Sequence, residues 1–335
     1  MTVQSNDMTQ KSWVFDGEHK LWKKGVGRGI HQSDVICSTM GHLVDAGQSL
    51  EYGKNYDGYW NGEMFVKQVC TPKYNYVFTG GSRNTQLKEK IIPTFERLHG
   101  AGHQALFLID NSQGHAAYAK DALLVSRMNV NPGGKQAKLR DGWFMEDGVK
   151  VVQAMVFSMD HPDYPNEPKG IKFVLSECGL YQSPLHGKCQ SRCDLGATAC
   201  CNKWILECQP DFQAQKSLVQ ETIEDAGHLC IFLPKFHCEL NFIEFFWGKA
   251  KKYIRDNSDG TFETLKKNLP LALQSVQLST IHLWEHHMHW WMNAYCAGLD
   301  TKAAQIQVKE FSSKRYKSHR RVPEAVAQSL DFQIQ

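Results

Sequence analysis

The chain is short of several things, and each shortage closes off a class of explanation. Its 38 Lys and Arg against 35 Asp and Glu leave a net charge of only +3, too small to announce a nucleic-acid binder by total charge. No stretch approaches the roughly 18 apolar residues of a membrane span. The first ten residues, MTVQSNDMTQ, lack the apolar core of a secretory signal. An intracellular, non-secreted protein with no transmembrane segment is therefore expected. Disulfides are rare in such compartments, so the eleven cysteines point to thiols or metal. The glycines of KKGVGRG (23–29) lack the Gly-Lys-Ser/Thr of a phosphate loop. No internal repeat is visible.

What is present is enough to build a core. Apolar residues make up 42% of 335 positions, which suits one large domain with insertions or two modest ones. Trp13-Val14-Phe15 ahead of Asp16-Gly17 reads as a hairpin, and residues 30–37 and 41–50 as further strands. Residues 59–69 read as a short amphipathic helix, 70–86 as a loop insertion and 87–98 as a helix. ALFLI (105–109) and LCIFL (229–233) are short apolar runs with the look of buried strands. Between them, 146–208 is broken up by prolines and cysteines. Phe212, Val219, Ile223 and Ala226 fall on one helical stripe that Gly227 would cap. Ile243, Trp247, Ala250 and Ile254 make a second stripe, and the last 80 residues read mostly as helix. This order fits an α/β sandwich.

Two acids stand where such a sheet does chemistry. Asp110 follows the first apolar run directly, and Glu244 lies in the first turn of the helix after the second. Carboxyl ends of neighbouring strands share a rim, where acids converge on divalent metal. Each acid also has a plain structural reading. Asp110-Asn111-Ser112 is ordinary turn chemistry, and Asn241 with Glu244 is nearly a capping box.

The surrounding blocks favour the chemical reading. LFLIDNSQGHAAYAKDAL (106–123) and FLPKFHCELNFIEFFWGKAKKYIR (232–255) resemble the second and third acid motifs of Tc1/mariner-like DDE transposases. The first has Asp110-Asn111 with His115; the second has Pro234, Leu240, Asn241, Ile243, Glu244 and Trp247. Nearly the whole chain is similar to a fungal subgroup with a cysteine-bearing insertion, also marked by SRMNVNPGGKQAKLRDG (126–142) and AYCAGLDTKAAQIQVKEFSSKRYKSHRRV (294–322). The resemblance implies an RNase H-like three-layer sandwich with a mixed sheet, incomplete at its N-terminus. It divides the chain into a first core part (1–145), a Pro/Cys-rich insertion (146–210), a second core part (211–256) and a helical extension with a basic tail (257–335). It implies DNA cleavage and strand transfer with Mg²⁺ or Mn²⁺ held by Asp110 and Glu244, with His115, Asn111 and Asn241 near the site. DNA is the implied partner, the nucleus a fitting location and a homodimer a compatible assembly.

The chain departs from that pattern in one important place. The family's first catalytic Asp sits in an Asp-Glu pair just ahead of a segment resembling MTVQSNDMTQKSW, and neither Asp7 nor Asp16 is placed to replace it. Loss of cleavage is the consequence expected, and a non-catalytic DNA-binding or adaptor protein is the alternative. The stretch 70–86 has no family counterpart and reads as retained intron sequence.

Phosphate contacts from Lys135, Lys138 and Arg140 would suit DNA handling, against a solvent-facing loop as the plain alternative. Lys314, Arg315, Lys317, Arg320 and Arg321, with His319, crowd into eight positions, as DNA-binding residues or as a solvated tail. Six cysteines fall within 31 positions, and Cys189, Cys193, Cys200 and Cys201, with His186 and Cys208 nearby, offer soft ligands for Zn²⁺. Reduced thiols are the other reading. His286, His287 and His289 look more like one face of a mixed helix than a metal site.

Overall fold

The chain starts in a strand, Thr2–Gln4 (β1), paired antiparallel with Gly29–Ser33 (β2). Ile36–Cys37 (β3) and Gly41–His42 (β4) form a small hairpin, and Gln48–Glu51 (β5) returns antiparallel to β2. A π-helical turn, Gln86–Ile91, runs into Ile92–His99 (α1), and Leu106–Ile109 (β6) follows. Gly142–Glu146 (β7) and Val149–Gln153 (β8) are an antiparallel hairpin. Then come the helices Ile171–Glu177 (α2), Asn202–Glu207 (α3), Pro210–Gln213 (α4) and Leu218–Asp225 (α5). Leu229–Phe232 (β9) precedes the helices Ile243–Asp256 (α6), Phe262–Gln274 (α7), Leu278–Cys296 (α8) and Thr301–Glu310 (α9).

This computed structural model describes residues 1–5, 27–52, 55–57, 86–111, 115–189 and 200–310. The expected hairpin at 13–17, helix at 59–69 and most of the loop at 70–86 lie outside them, as do Asp7, Asp16, Ser112, Cys193 and the basic run 314–321.

The architecture is mixed α/β with several small sheets and, among the described residues, no barrel. Among the described residues the strands group into small sheets. An antiparallel triple β1-β2-β5, a parallel pair β6-β9 and two hairpins stand separately. No described helix is long and apolar enough to cross a membrane.

The chain divides into two compact units, residues 1–115 with 222–335, and residues 116–221. The second is wider than the 146–210 insertion expected from proline and cysteine density. Residues 116–145 join it because Leu123, Val125, Met128 and Leu139 pack with Met155, Ile171, Val174 and Leu206. Turn and loop residues carry no periodicity, so that membership was invisible in the sequence.

In the first unit, α6 places Phe246, Ala250 and Ile254 four residues apart on one buried stripe. They meet Val3 and Ile30 of the antiparallel sheet, Leu265 and Leu269 of α7 and Ile281 of α8. A neighbouring cluster joins Leu233 and Leu240 to Met288, Trp291 and Ala294 of α8 and to Ala304 and Val308 of α9. Both clusters hold the chain on either side of Glu244.

Two local expectations need correction. The stripe from Phe212 to Ala226 is two helices, not one. Pro210 opens α4, and Ser217 opens α5 by accepting the amide of Gln220 at 3.2 Å on its hydroxyl. Ala226 is exposed beyond the end of α5, where Gly227 turns the chain at φ 80°. The runs around β6 and β9 are also not buried on both faces, since Leu106, Leu229 and Ile231 are about half exposed.

Candidate active site

β6 and β9 run parallel in the register Leu106↔Leu229 to Ile109↔Phe232, so both strands end at one level. The amide of Leu233 extends the pairing by donating to the carbonyl of Ile109 at 2.8 Å. Asp110 and Asn111 leave β6 at this edge. On the other strand, Pro234 starts a loop that makes a 3-10 turn, Cys238–Leu240, before α6 begins. Buried Leu233 and Leu240 pin both ends of the loop. The residues between them therefore stay at the strand ends.

This geometry brings Asp110 and Glu244, 134 positions apart in sequence, to the lining of one open pocket of about 360 Å³. Asn111 and Asn241 line it too, as do Lys235, Phe236 and His237. The capping-box reading of Glu244 does not hold. The residue ahead of α6 is Phe242, no side chain caps the helix, and Asn241 takes part through its backbone carbonyl, which accepts from the amide of Glu244 at 3.0 Å. Glu244 is exposed and makes no side-chain hydrogen bond or ion pair among the described residues.

Asp110 is half exposed and His115 mostly covered, with Nδ1 of His115 2.5 Å from Oδ1 of Asp110. The same nitrogen lies 3.2 Å from the carbonyl oxygen of Asp110, so the imidazole holds the aspartate by side chain and backbone. The Met1 amine is buried and donates to the Gln32 carbonyl at 2.7 Å. Burial pushes the Met1 amine down to about 6, and the charges it senses are Asp34, Lys251, Glu244 and Asp110.

The loop itself is tightly built. Glu239 Oε1 accepts from the Tyr295 hydroxyl at 2.6 Å and lies 2.7 Å from Nδ1 of His237. Burial works against ionising Glu239, but the hydrogen bonds from Tyr295, the backbone and His237 outweigh it and hold the carboxyl below its ordinary value. Phe236 has the left-handed φ of 69° and is 99% exposed. Lys235, Phe236, His237 and Tyr295 were not singled out from the sequence. The Pro234–Leu240 spacing of the motif marked their loop without saying which side chains it would present.

The basic residues separate. Lys135 and Lys138 are exposed in the second unit. Arg140 is engaged within the protein, its guanidinium 2.8 Å from Asp121 and 2.5 Å from Glu221. These partners raise the Arg140 pKa above its ordinary value and lower that of Asp121. The sulfurs of Cys189, Cys200 and Cys201 gather within 4.8 Å of one another and can hold a metal ion. His186 is not part of that group, and no grouping of His286, His287 and His289 forms among the described residues.

No family model matches the chain, and neither a curated protein nor a solved structure is detectably similar to it.

Proposed function

We propose that the first unit is a DDE-type, RNase H-like core of the Tc1/mariner group, built to bind a divalent cation and DNA phosphate at the ends of β6 and β9. The observation that carries this reading is the convergence of Asp110 and Glu244 on one pocket. Three further features support it. An antiparallel triple and a parallel pair are the strand pairings such a core uses. The donors are hard oxygens, two carboxylates and two side-chain amides, which suit Mg²⁺ or Mn²⁺. The start of β1, next to which the resemblance places the first Asp, lies within electrostatic reach of both acids.

Asp110 and Glu244 are the residues that would hold the cation, with Asn111 and Asn241 beside them. A bound Mg²⁺ or Mn²⁺ supplies Lewis acidity, stabilising charge on phosphoryl oxygen and activating an attacking oxygen. His115 fixes the direction of the Asp110 carboxylate. Lys235 adds positive charge where a phosphate would approach. DNA as partner implies work in the nucleus.

The carboxylate count favours a second reading, a transposase-derived DNA-binding or adaptor protein without cleavage. Two acids among the described pocket residues suit one ion, whereas phosphodiester cleavage by two ions uses more. Incubation of supercoiled plasmid with the protein and Mg²⁺ or Mn²⁺ separates the two. Nicking lost in Asp110→Ala supports the enzyme. Salt-sensitive binding without nicking supports the adaptor, and neither activity removes the DNA reading altogether. The soft thiolates of the second unit call for a different metal, Zn²⁺, in a structural role.

A further inference from the structure

We infer that Cys189, Cys200 and Cys201 supply three of the four ligands of a zinc centre that fastens the two chain segments on which the second unit closes, and that this centre is structural. It is independent of the DNA reading, since it lies in residues 116–221 and shares no residue with the pocket.

The case begins with how the backbone brings the sulfurs together. Asn202, 1% exposed, works as a buried clamp: its Oδ1 accepts from the amide of Gln182 at 3.1 Å, and its Nδ2 donates to the carbonyls of Gln182 at 2.9 Å and Leu185 at 3.1 Å. The Asn202 amide donates to the His186 carbonyl at 3.0 Å, and the Lys203 amide to the Gly187 carbonyl at 2.9 Å. Segment 186–189 thus runs beside segment 200–203, anchored by hydrogen bonds that involve no cysteine. Lys188 adds a further tie, donating from Nζ to the carbonyl of Met128 at 2.9 Å. Gly187 lets this segment lie against Val130, because a Cβ there would meet Val130 Cγ2 at 2.7 Å. Cys189 follows this clamped stretch on one segment, and Cys200 and Cys201 sit beside it on the other.

The spacing then suits a tetrahedral ion. A four-coordinate site with Zn–S bonds of about 2.3 Å sets its sulfurs about 3.8 Å apart. Here Cys189 and Cys200 are 3.2 Å apart, and all three sulfurs lie within 4.8 Å, a range that brackets that value. None of the nine described cysteines is in a disulfide. Three thiols held together, one of them fully buried, present soft donors to a common ion. The pure sulfur character selects zinc over magnesium, calcium or manganese. Bound zinc would lock segments 187–189 and 200–203 together and keep α3, with its buried Ile205 and Leu206, on the core of the unit.

The test uses the full chain, purified under reducing conditions from zinc-supplemented cells without metal-affinity steps. Elemental analysis should find about one zinc per chain. Replacement by Co²⁺ should give the intense near-ultraviolet absorption of cobalt–thiolate bonds. Cys189→Ser, Cys200→Ser and Cys201→Ser should each lose zinc and that band, whereas Cys178→Ser and Cys208→Ser should retain both. Because a serine variant can fail for lack of folding, the unsubstituted protein is also stripped with a chelator and reloaded. Its melting temperature should fall on stripping and recover with zinc but not with magnesium. Zinc-free protein, or zinc retained in all three serine variants, would overturn the proposal.

Discussion

Ile109 faces Phe232 at the last register position of the parallel β6–β9 pair, and this alignment launches Asp110 and the Pro234 loop from the same edge. Ile109 is 7% exposed, so Ile109→Ala removes packed methyls where the pocket is assembled. A loss of roughly 2–4 kcal/mol of stability is expected, read by urea unfolding. Divalent-cation binding, followed by Mn²⁺ paramagnetic resonance, should weaken in this variant and vanish in Asp110→Asn and Glu244→Gln. Undiminished Mn²⁺ binding in the two isosteric variants would show that the pocket acids hold no ion.

The loop opposite Asp110 is tied to α8 by one carboxylate, and that tie has a pH signature. Tyr295→Phe deletes the hydroxyl bonded to Glu239 and should cost about 1 kcal/mol at neutral pH. Because the folded-state pKa of Glu239 is lowered, its contribution is fully present above the unfolded carboxylate value and is lost as pH falls through the folded one. The difference between wild type and Tyr295→Phe should therefore shrink toward acid. Unfolding curves from neutral to strongly acidic pH check this, and a difference that grows on acidification contradicts it.

Phe236 offers a test of backbone strain separate from any catalytic idea. It buries almost nothing, and its φ of 69° is costly for a residue with a Cβ. Phe236→Gly should raise stability by about 0.5–1 kcal/mol, while Phe236→Ala, which keeps the strain, should leave it nearly unchanged. Equal effects of the two would place the strain elsewhere. If the exposed ring also touches nucleic acid, both variants should weaken single-strand binding alike, since both lose the stacking surface.

How much of this was legible in the sequence depends on the range of the interaction. β6 and β9 were readable because each is a short apolar run ended by a turn residue, and Asp110 and Glu244 stood out by their places after those runs. Their shared pocket was expected from the motifs, and the structure brings them to it. Asn241 to Glu244 has capping-box spacing, but the 3-10 turn ahead of the helix moves the cap position to Phe242. The partners of Arg140 were unreadable for another reason. Glu221 lies 81 positions away, and nothing in the local pattern distinguishes that pair from two solvated charges.

Arg140 and its neighbours yield a contrast. Lys135→Ala with Lys138→Ala should leave stability within about 0.5 kcal/mol of wild type. If they contact DNA, the same pair should lower the salt slope of binding by up to about 2 units. Arg140→Ala should do the reverse, losing up to about 1 kcal/mol because Asp121 and Glu221 lose their shared cation, with the slope unchanged. Salt titrations of binding and urea unfolding on the three proteins decide it. A slope change in Arg140→Ala would return that guanidinium to the DNA surface.

The last prediction concerns cleavage. Asp110 and Glu244, the two carboxylates among the described pocket residues, would suit one ion, and half-exposed Asp110 is oriented by His115. Losing metal-site geometry removes several kcal/mol of transition-state stabilisation, and each 1.36 kcal/mol is about tenfold in rate. The 335-residue chain is therefore expected to nick supercoiled DNA no faster than its Asp110→Ala variant. A version carrying Asp-Glu directly ahead of Met1 should behave differently. The resemblance places the first Asp of the family in an Asp-Glu pair just ahead of this segment. That version should nick with Mg²⁺ or Mn²⁺ and lose the activity again on Asp110→Ala or Glu244→Gln. Robust, Asp110-dependent nicking by the unextended chain would show that two acids suffice. Silence from the extended chain, with Mn²⁺ binding intact, would leave DNA binding without cleavage as the function of the fold.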